Sequence, residues 1–493
     1  MSPRQDLLKT TAFFIYPEKP RDMVVLITRI ALLICLFTSI ALVLYVSFSN
    51  RPYPFIRFTS LDLKIGSETP DNAPTNISHL LFGIGGSAKT WKERRAFSSL
   101  WWDVESTRGF FWLDEKPDET GTFNGFDAEA GVSLPYRISG PEWTRFKYSS
   151  SRFAVRVARI IYDSFNLKLP NVRWFVMGDD DTVFFTHNLV SVLARYDHHQ
   201  MWYIGGNSES VEQNVMHAYD MAFGGGGFAV SYPLAEKLVK VLDGCLERYY
   251  YFYGSDQRIW ACISEIGVPL TREPGFHQFD IRGDPYGLLA AHPMAPLVSL
   301  HHLDGLVPMF PNKTRIDSLK TFMKGYRVDP DRILQQSFCY DSKRKWSIVI
   351  AWGYTIQIYP RVVTASDLHM PLQTFKTWRS WSNGPFTFNT RPMPADPCEW
   401  PIVYFLDQVD EVSTSGTRTR YKIAKSGKTC NRTHYGLAMA VNSITVSSMK
   451  MAPDYWQKAP HRQCCEIMDR GSIKSGSMRI RIRNCRQSET TTI

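Results

Sequence analysis

The chain has no Cys-x-x-Cys pair, so the paired thiolates of a zinc ribbon are missing. Gly83-Ile84-Gly85-Gly86 gives only half of a dinucleotide fingerprint, because the third Gly is absent at its proper spacing. Glycine (31) and proline (29) are not enriched among 493 residues, which excludes collagen and low-complexity chains. Charge of one sign is also scarce: the excess over the full length is +10. Nucleic-acid binders concentrate positive charge in one patch, so no nucleic acid is expected as a partner. A hydrophobic share of 44% excludes disorder as the main state. The length suggests about three domains.

One stretch lacks charge altogether. Ile30 to Asn50 reads IALLICLFTSIALVLYVSFSN. At 1.5 Å per residue a helix of that length crosses a hydrocarbon core of about 30 Å. A cleavable signal peptide has a shorter apolar core and starts earlier. The expectation is therefore a cytosolic tail (1–29), an uncleaved transmembrane signal anchor (30–50) and a stem (51–76) rich in Pro, Ser, Thr and Asn. Cys35 lies in the apolar run and eight cysteines follow it. An even set outside a membrane suits disulfides in an oxidising lumen. Cys245 and Cys262, 17 residues apart, are candidates to pair. Acceptor sequons at Asn76, Asn312 and Asn431 all follow the run. A type II single-pass protein with a lumenal body fits these features.

The body begins with strand and helix in alternation. LLFGIGG after His79 reads as a buried strand, and TWKERRAFSSLWW has helical spacing. A second helix is expected over Trp143–Leu167, bearing Arg152, Arg156 and Arg159. VRWFVM (172–177) reads as another buried strand, and Thr186 is placed to cap the helix after it. This is an α/β pattern, and such sheets bind ligands at the carboxyl ends of their strands.

At one such end stand Asp179, Asp180 and Asp181. Three carboxylates in one turn repel unless a cation or solvent relieves them. Oxygen donors of that kind suit Mg²⁺ or Mn²⁺. An EF-hand is excluded, since neither its Gly nor its closing Glu is present. Gly224–Gly227 is too rich in glycine for a helix or ordinary strand, and no Gly-Lys-Ser/Thr follows to make a P-loop.

Five blocks in order carry a resemblance: WKERRAFSSLWW (Trp91–Trp102), WFVMGDDDTVFF around the triplet, AFGGGGFAVS (Ala222–Ser231), YGSDQRIWACISEIGVPL (Tyr253–Leu270) and VSLHHLD (Val298–Asp304). Together they resemble the Fringe-like glycosyltransferases of glycosyltransferase family 31, most of all the plant Fringe-related branch. The resemblance implies a GT-A nucleotide-sugar-binding domain over 77–323, within an α/β fold. It implies Asp181 and His302 as Mn²⁺ ligands, with His301 as the fallback. It implies Asp256 as the catalytic base, and Asp179, Asp180, Arg94, Arg95, Gly225, Gly226 and Gly227 on the donor. Leu300-His301-His302 stands where the family more often has His-Ser-His. The implied activity is inverting transfer from a UDP-sugar to a glycan or glycoprotein acceptor, often through a β-1,3 linkage, in the Golgi membrane. A catalytically silent glycan-binding protein of the same fold is the alternative.

From about Lys324 the pattern alternates as β-strands do, in Trp346–Tyr359, Pro401–Val409 and Ile480–Cys485. With six cysteines, 324–493 is expected to be a disulfide-stapled, mainly β accessory domain. Trp346, Trp352, Trp378, Trp381 and Trp400 are expected to be core aromatics rather than sugar platforms, because strand aromatics usually point inward. The basic stretches Arg418–Arg432 and Arg479–Arg486 read as solvated faces.

Overall fold

The computed structural model describes residues 20–48, 73–118, 133–148, 151–424, 430–452, 454–468 and 476–491. The expected tail up to residue 19 and the stem from 51 to 72 lie outside the described residues. Two units separate, Met1–Asn72 and Ala73–Ile493. In the first, α1 runs from Pro20 to Phe48. Its described apolar side chains are exposed, among them Leu32, Ile34 and Phe37. Judged on described residues alone, no helix is long and apolar enough to cross a membrane.

The second unit opens on a seven-stranded mixed sheet. Its strands are β1 (Leu80–Gly85), β2 (Gly109–Leu113), β3 (Tyr136–Ile138), β4 (Trp174–Asp179), β6 (Tyr203–Gly205), β7 (Phe228–Ser231) and β8 (Leu270–Arg272), in the order 3-2-1-4-7-6-8. β1, β2, β3 and β4 are parallel neighbours, while β7 runs antiparallel to β4 and β6. Every residue of β1 is buried, as a strand covered on both faces should be. The covering helices are α2 (Ala88–Ser98), α3 (Arg152–Asn166), α4 (Thr186–Leu193), α5 (Val211–Met216), α6 (Tyr232–Arg248) and α7 (Ser255–Ile266). α3 is shorter than expected, and Pro141–Arg145 forms a separate 3-10 turn before it. Thr186 is the first residue of α4 rather than its cap. Phe185 holds the cap position without a side-chain bond.

The order has a consequence. From β1 the chain builds outward through β2 and β3, then returns to lay β4 on the other side of β1. That reversal leaves a crevice at the carboxyl ends of β1 and β4. Gly85 and Asp179 are directly paired there. Buried Arg156 fixes the same end of the sheet, donating to the carbonyls of Gly86 (2.6 Å) and Trp112 (2.8 Å).

Two small sheets extend this end. β5 (Val183–Phe184), β9 (Phe276–His277) and β11 (Ser299–Leu300) form one. β10 (Ile281–Gly283) pairs with β15 (Phe375–Thr377) in the other. Then follows a closed eight-stranded barrel of β12 (Gln336–Asp341), β13 (Trp346–Ala351), β14 (Thr355–Tyr359), β16 (Ile402–Ser413), β17 (Gly416–Ile423), β18 (Ser443–Met449), β19 (Cys464–Ile467) and β20 (Ser477–Arg483). The pair Phe338↔Cys464 closes it.

The expected boundary at 323/324 falls inside a helix, Arg315–Val328. One apolar cluster runs from Leu80 in the sheet to Ile482 in the barrel. Tyr354 Oη donates to the Met309 carbonyl (3.0 Å) and Gln336 Nε2 to that of Ala290 (2.8 Å). The barrel is thus continuous with the sheet region. Disulfides join Cys245–Cys262, Cys339–Cys465, Cys398–Cys430 and Cys464–Cys485, so the suggested 245–262 pairing is present. Asn76, Asn312 and Asn431 are exposed.

Candidate functional site

β4 delivers the triplet into the crevice, and the three carboxylates part company there. Asp180 is buried and faces α2. Its Oδ1 accepts from Arg94 Nη1 at 3.1 Å, and Ser98 Oγ holds its carbonyl at 2.9 Å. Burial and the neighbouring Asp181 charge push the Asp180 carboxyl up to about 7. Asp179 keeps its side chain 37% exposed, toward the crevice.

Asp181 is fully buried, and neither carboxylate oxygen has a hydrogen-bond partner among the described residues. Among the described residues two ion pairs reach it: His301 Nε2 at 3.2 Å and Arg94 Nη2 at 3.3 Å. Burial would raise its pKa, but the His301 charge and then Arg94 outweigh that and hold it below the usual carboxylate range. Burial would conversely lower His301, and Asp181 pushes it up to about 9. A buried carboxylate short of donors requires a compensating charge.

Asp179, Asp181 and His301 bring one ligand atom each within 4.8 Å of one another. Two carboxylates and an imidazole fit a hard divalent cation with room for further oxygen ligands. The expected ligand His302 is not in this set. It follows β11 at φ +62°, and the left-handed backbone turns its side chain away. His302 Nδ1 lies 3.2 Å from Asp280 Oδ1, and its ring stacks on Trp378 at 4.8 Å. The neighbour His301, the fallback, takes the inward place.

The glycines explain themselves by packing. A Cβ at Gly225 would lie 2.0 Å from His301 Cε1. Gly226 N–H donates to Gln278 Oε1 at 2.7 Å, and Gly227 has φ +84°. Gly225, Gly226 and Gly227 are all buried, so they seat the imidazole rather than line an open surface. Thr182 ties this loop to the triplet: its Oγ1 donates to the Gly225 carbonyl at 2.7 Å and accepts the Asp179 N–H at 2.9 Å. The roles of Thr182 and Arg156 have no local signature, since their bonds span 43 and 70 residues.

Across the crevice, Asp256 stands in the first turn of α7, whose N-cap is Gly254. Its Oδ2 accepts the Gly224 N–H at 3.0 Å and its Oδ1 the Gln257 N–H at 2.8 Å. Both oxygens are therefore aimed by backbone. Asp179, Gly224 and Asp256 line one narrow cavity. Arg94 bridges Asp180, Asp181 and Asp304. Arg95 is exposed on the same helix. The structure thus brings together Arg94, Asp179, Asp181, Asp256 and His301. Arg95 and His302 stand apart from that group.

Open mixed sheet, acid-histidine cluster at its switch point and appended closed barrel define a two-part α/β protein. A family model described as "Protein of unknown function, DUF604" matches residues 213–465, just over half of the chain, and the protein belongs to that family. The matched stretch contains Gly224–Gly227, Asp256, His301 and most of the barrel. It begins after the acidic triplet. No curated protein matches the chain.

Proposed function

We propose that the protein is an inverting glycosyltransferase that moves a sugar from a UDP-sugar to a glycan hydroxyl, with Mn²⁺ as cofactor and a β-1,3 linkage formed. One observation carries the reading: Asp179, which groups with Asp181 and His301, lines one cavity together with Asp256 at the carboxyl end of β4. The matched domain is known from galactosyltransferase-like proteins of family 31, which agrees with it. Bound at Asp179, Asp181 and His301, the cation would offset the charge that grows on the departing diphosphate. Arg94 would add a guanidinium suited to phosphate oxygens on the same side. Asp256 would accept the proton of the attacking hydroxyl, its carboxylate already oriented by the amides of Gly224 and Gln257. A single displacement from opposite the leaving group inverts the anomeric carbon.

α1 would serve as a signal anchor in the Golgi membrane, with the second unit lumenal. The charge-free run from Ile30 and the exposed apolar side chains of α1 support this. So do four disulfides and three exposed sequons beyond it.

The test is UDP release from a panel of UDP-sugars, with and without Mn²⁺. Release that needs Mn²⁺ and rises with acceptor is expected. A thermal shift with UDP and Mn²⁺ but no turnover of any donor would instead identify a catalytically silent glycan-binding protein.

A further inference from the structure

The segment from Leu372 to Phe388 belongs in sequence to the barrel region, yet it returns to the sheet. β15 pairs with β10, and Phe386 bridges Ser210 just before α5. Between these two fixed points the chain carries Trp378 onto His302, the neighbour of the inward His301, and Trp381 into solvent. Trp378 stacks face to face on His302, with 4° between the planes. Arg282 lies over both indoles, at 4.4 Å from Trp378 and 4.9 Å from Trp381. Arg282 Nε also donates to the Trp378 carbonyl at 2.7 Å.

The same loop reaches the other bank. Ser380 Oγ donates to Glu212 on α5, and Arg379 Nη1 contacts Met216 Sδ at 2.6 Å. The residue after α5 offers its carbonyl to Gln257, next to Asp256. One loop thus touches His302 at one end and α5, whose next residue bonds the neighbour of Asp256, at the other.

Trp381 is out of place by ordinary packing rules. It is 55% exposed, and its backbone sits at φ +55°, a strained position for a bulky residue. Such strain persists where the surroundings impose it, and it gathers at ligand sites. A large flat ring, backed by a fixed guanidinium, is a surface for the C–H face of a pyranose.

We propose that Trp381 is the platform on which a neutral glycan acceptor stacks while its terminal hydroxyl reaches Asp256. This rests on the glycosyl-transfer reading, and it assigns the substrate class to a named side chain outside the reacting centre. Trp378 and Arg282 act as positioning residues that hold the platform.

The full lumenal chain is titrated with neutral β-linked gluco-, galacto- and xylo-oligosaccharides of two to five residues. Tryptophan fluorescence and ligand-observed NMR report binding. The variants are Trp381→Ala and Trp381→Phe, with melting temperature as the folding control. At least one series should bind the native protein. Trp381→Ala should weaken it about tenfold and Trp381→Phe much less. The UDP and Mn²⁺ thermal shift should stay unchanged in both. Equal glycan affinity in Trp381→Ala overturns the proposal. So does a native protein that answers UDP and Mn²⁺ but binds none of the series, a result that leaves the transfer reading intact. Glycan binding lost in Trp381→Ala, with no UDP-sugar turned over, supports the platform and removes the transfer reading instead.

Discussion

The mixed sheet and the barrel solve burial differently. β1 and β4 are covered on both faces, and their polar ends meet at an open crevice. The barrel is split along its girth. β12, β13 and β14 are buried almost throughout, because their outer residues Phe338, Val349 and Tyr359 pack under Val363 and Leu368 of the chain that follows β14. β17, β18 and β20 alternate buried with exposed or half-exposed residues, as strands with one wet face do. The charged candidate-site residues therefore gather where strands end at a crevice, and the crosslinks where strands close on themselves. Cysteine use agrees: one disulfide lies in the sheet region and three in the barrel region.

The sharpest way to break this contrast is to remove chemistry from the sheet without touching stability. Asp256→Asn should cut transfer by about 10²–10⁴-fold. Melting temperature and the UDP–Mn²⁺ shift should stay near native. Near-full transfer by that variant would take the base role from Asp256. In the barrel the reverse is expected. Trp352 is fully buried, and Trp352→Ala should cost about 3–5 kcal/mol of stability while leaving specific activity of the folded fraction intact. Because one core runs through both regions, calorimetry should show a single transition. Two separate transitions would mean that sheet and barrel are independent after all.

Gly225→Ala tests the junction of glycine loop and imidazole. Displacing His301 should abolish the Mn²⁺-dependent thermal shift, with a smaller loss of stability of about 1–3 kcal/mol. Cys485→Ser opens a crosslink of sequence separation 21 and should cost about 3 kcal/mol by denaturant titration. Thr314 Oγ1 accepts the Asp317 N–H at 3.1 Å as the cap of the helix leading into the barrel. Thr314→Ala should cost only about 1 kcal/mol.

Local features were readable in advance. Apolar runs at 80–86 and 172–177 predicted buried strands, and β1 and β4 lie there within a few residues. The triplet was recognisable because a strand leads straight into it. What could not be read depended on a single backbone angle or on distant pairing. Leu300-His301-His302 gives no sign of which imidazole turns inward, since φ +62° at His302 decides it. Trp346 and Trp352 are core, as expected of strand aromatics. Trp381 is not, because it rides on a loop whose anchors, β10 and α5, are about 100 to 170 positions earlier. The pairing of β12 with β19 spans 126 residues between Phe338 and Cys464, beyond any local pattern.

That last seam bears on how the protein must be made. During synthesis β12 emerges early and waits for β19, so two unpaired edges stay open to other chains meanwhile. Cys464 and Cys465 are neighbours on β19, so their side chains point to opposite sides of the strand. One is bonded to Cys339 on β12, across the seam. The other is bonded to Cys485, just past β20. The ring is thus clasped from both sides at its last joint. A reducing cytosol would leave that clasp undone, and chains produced there should join edge to edge into insoluble material. An oxidising secretory host should yield the second unit, Ala73–Ile493, folded and monodisperse with the clasp closed.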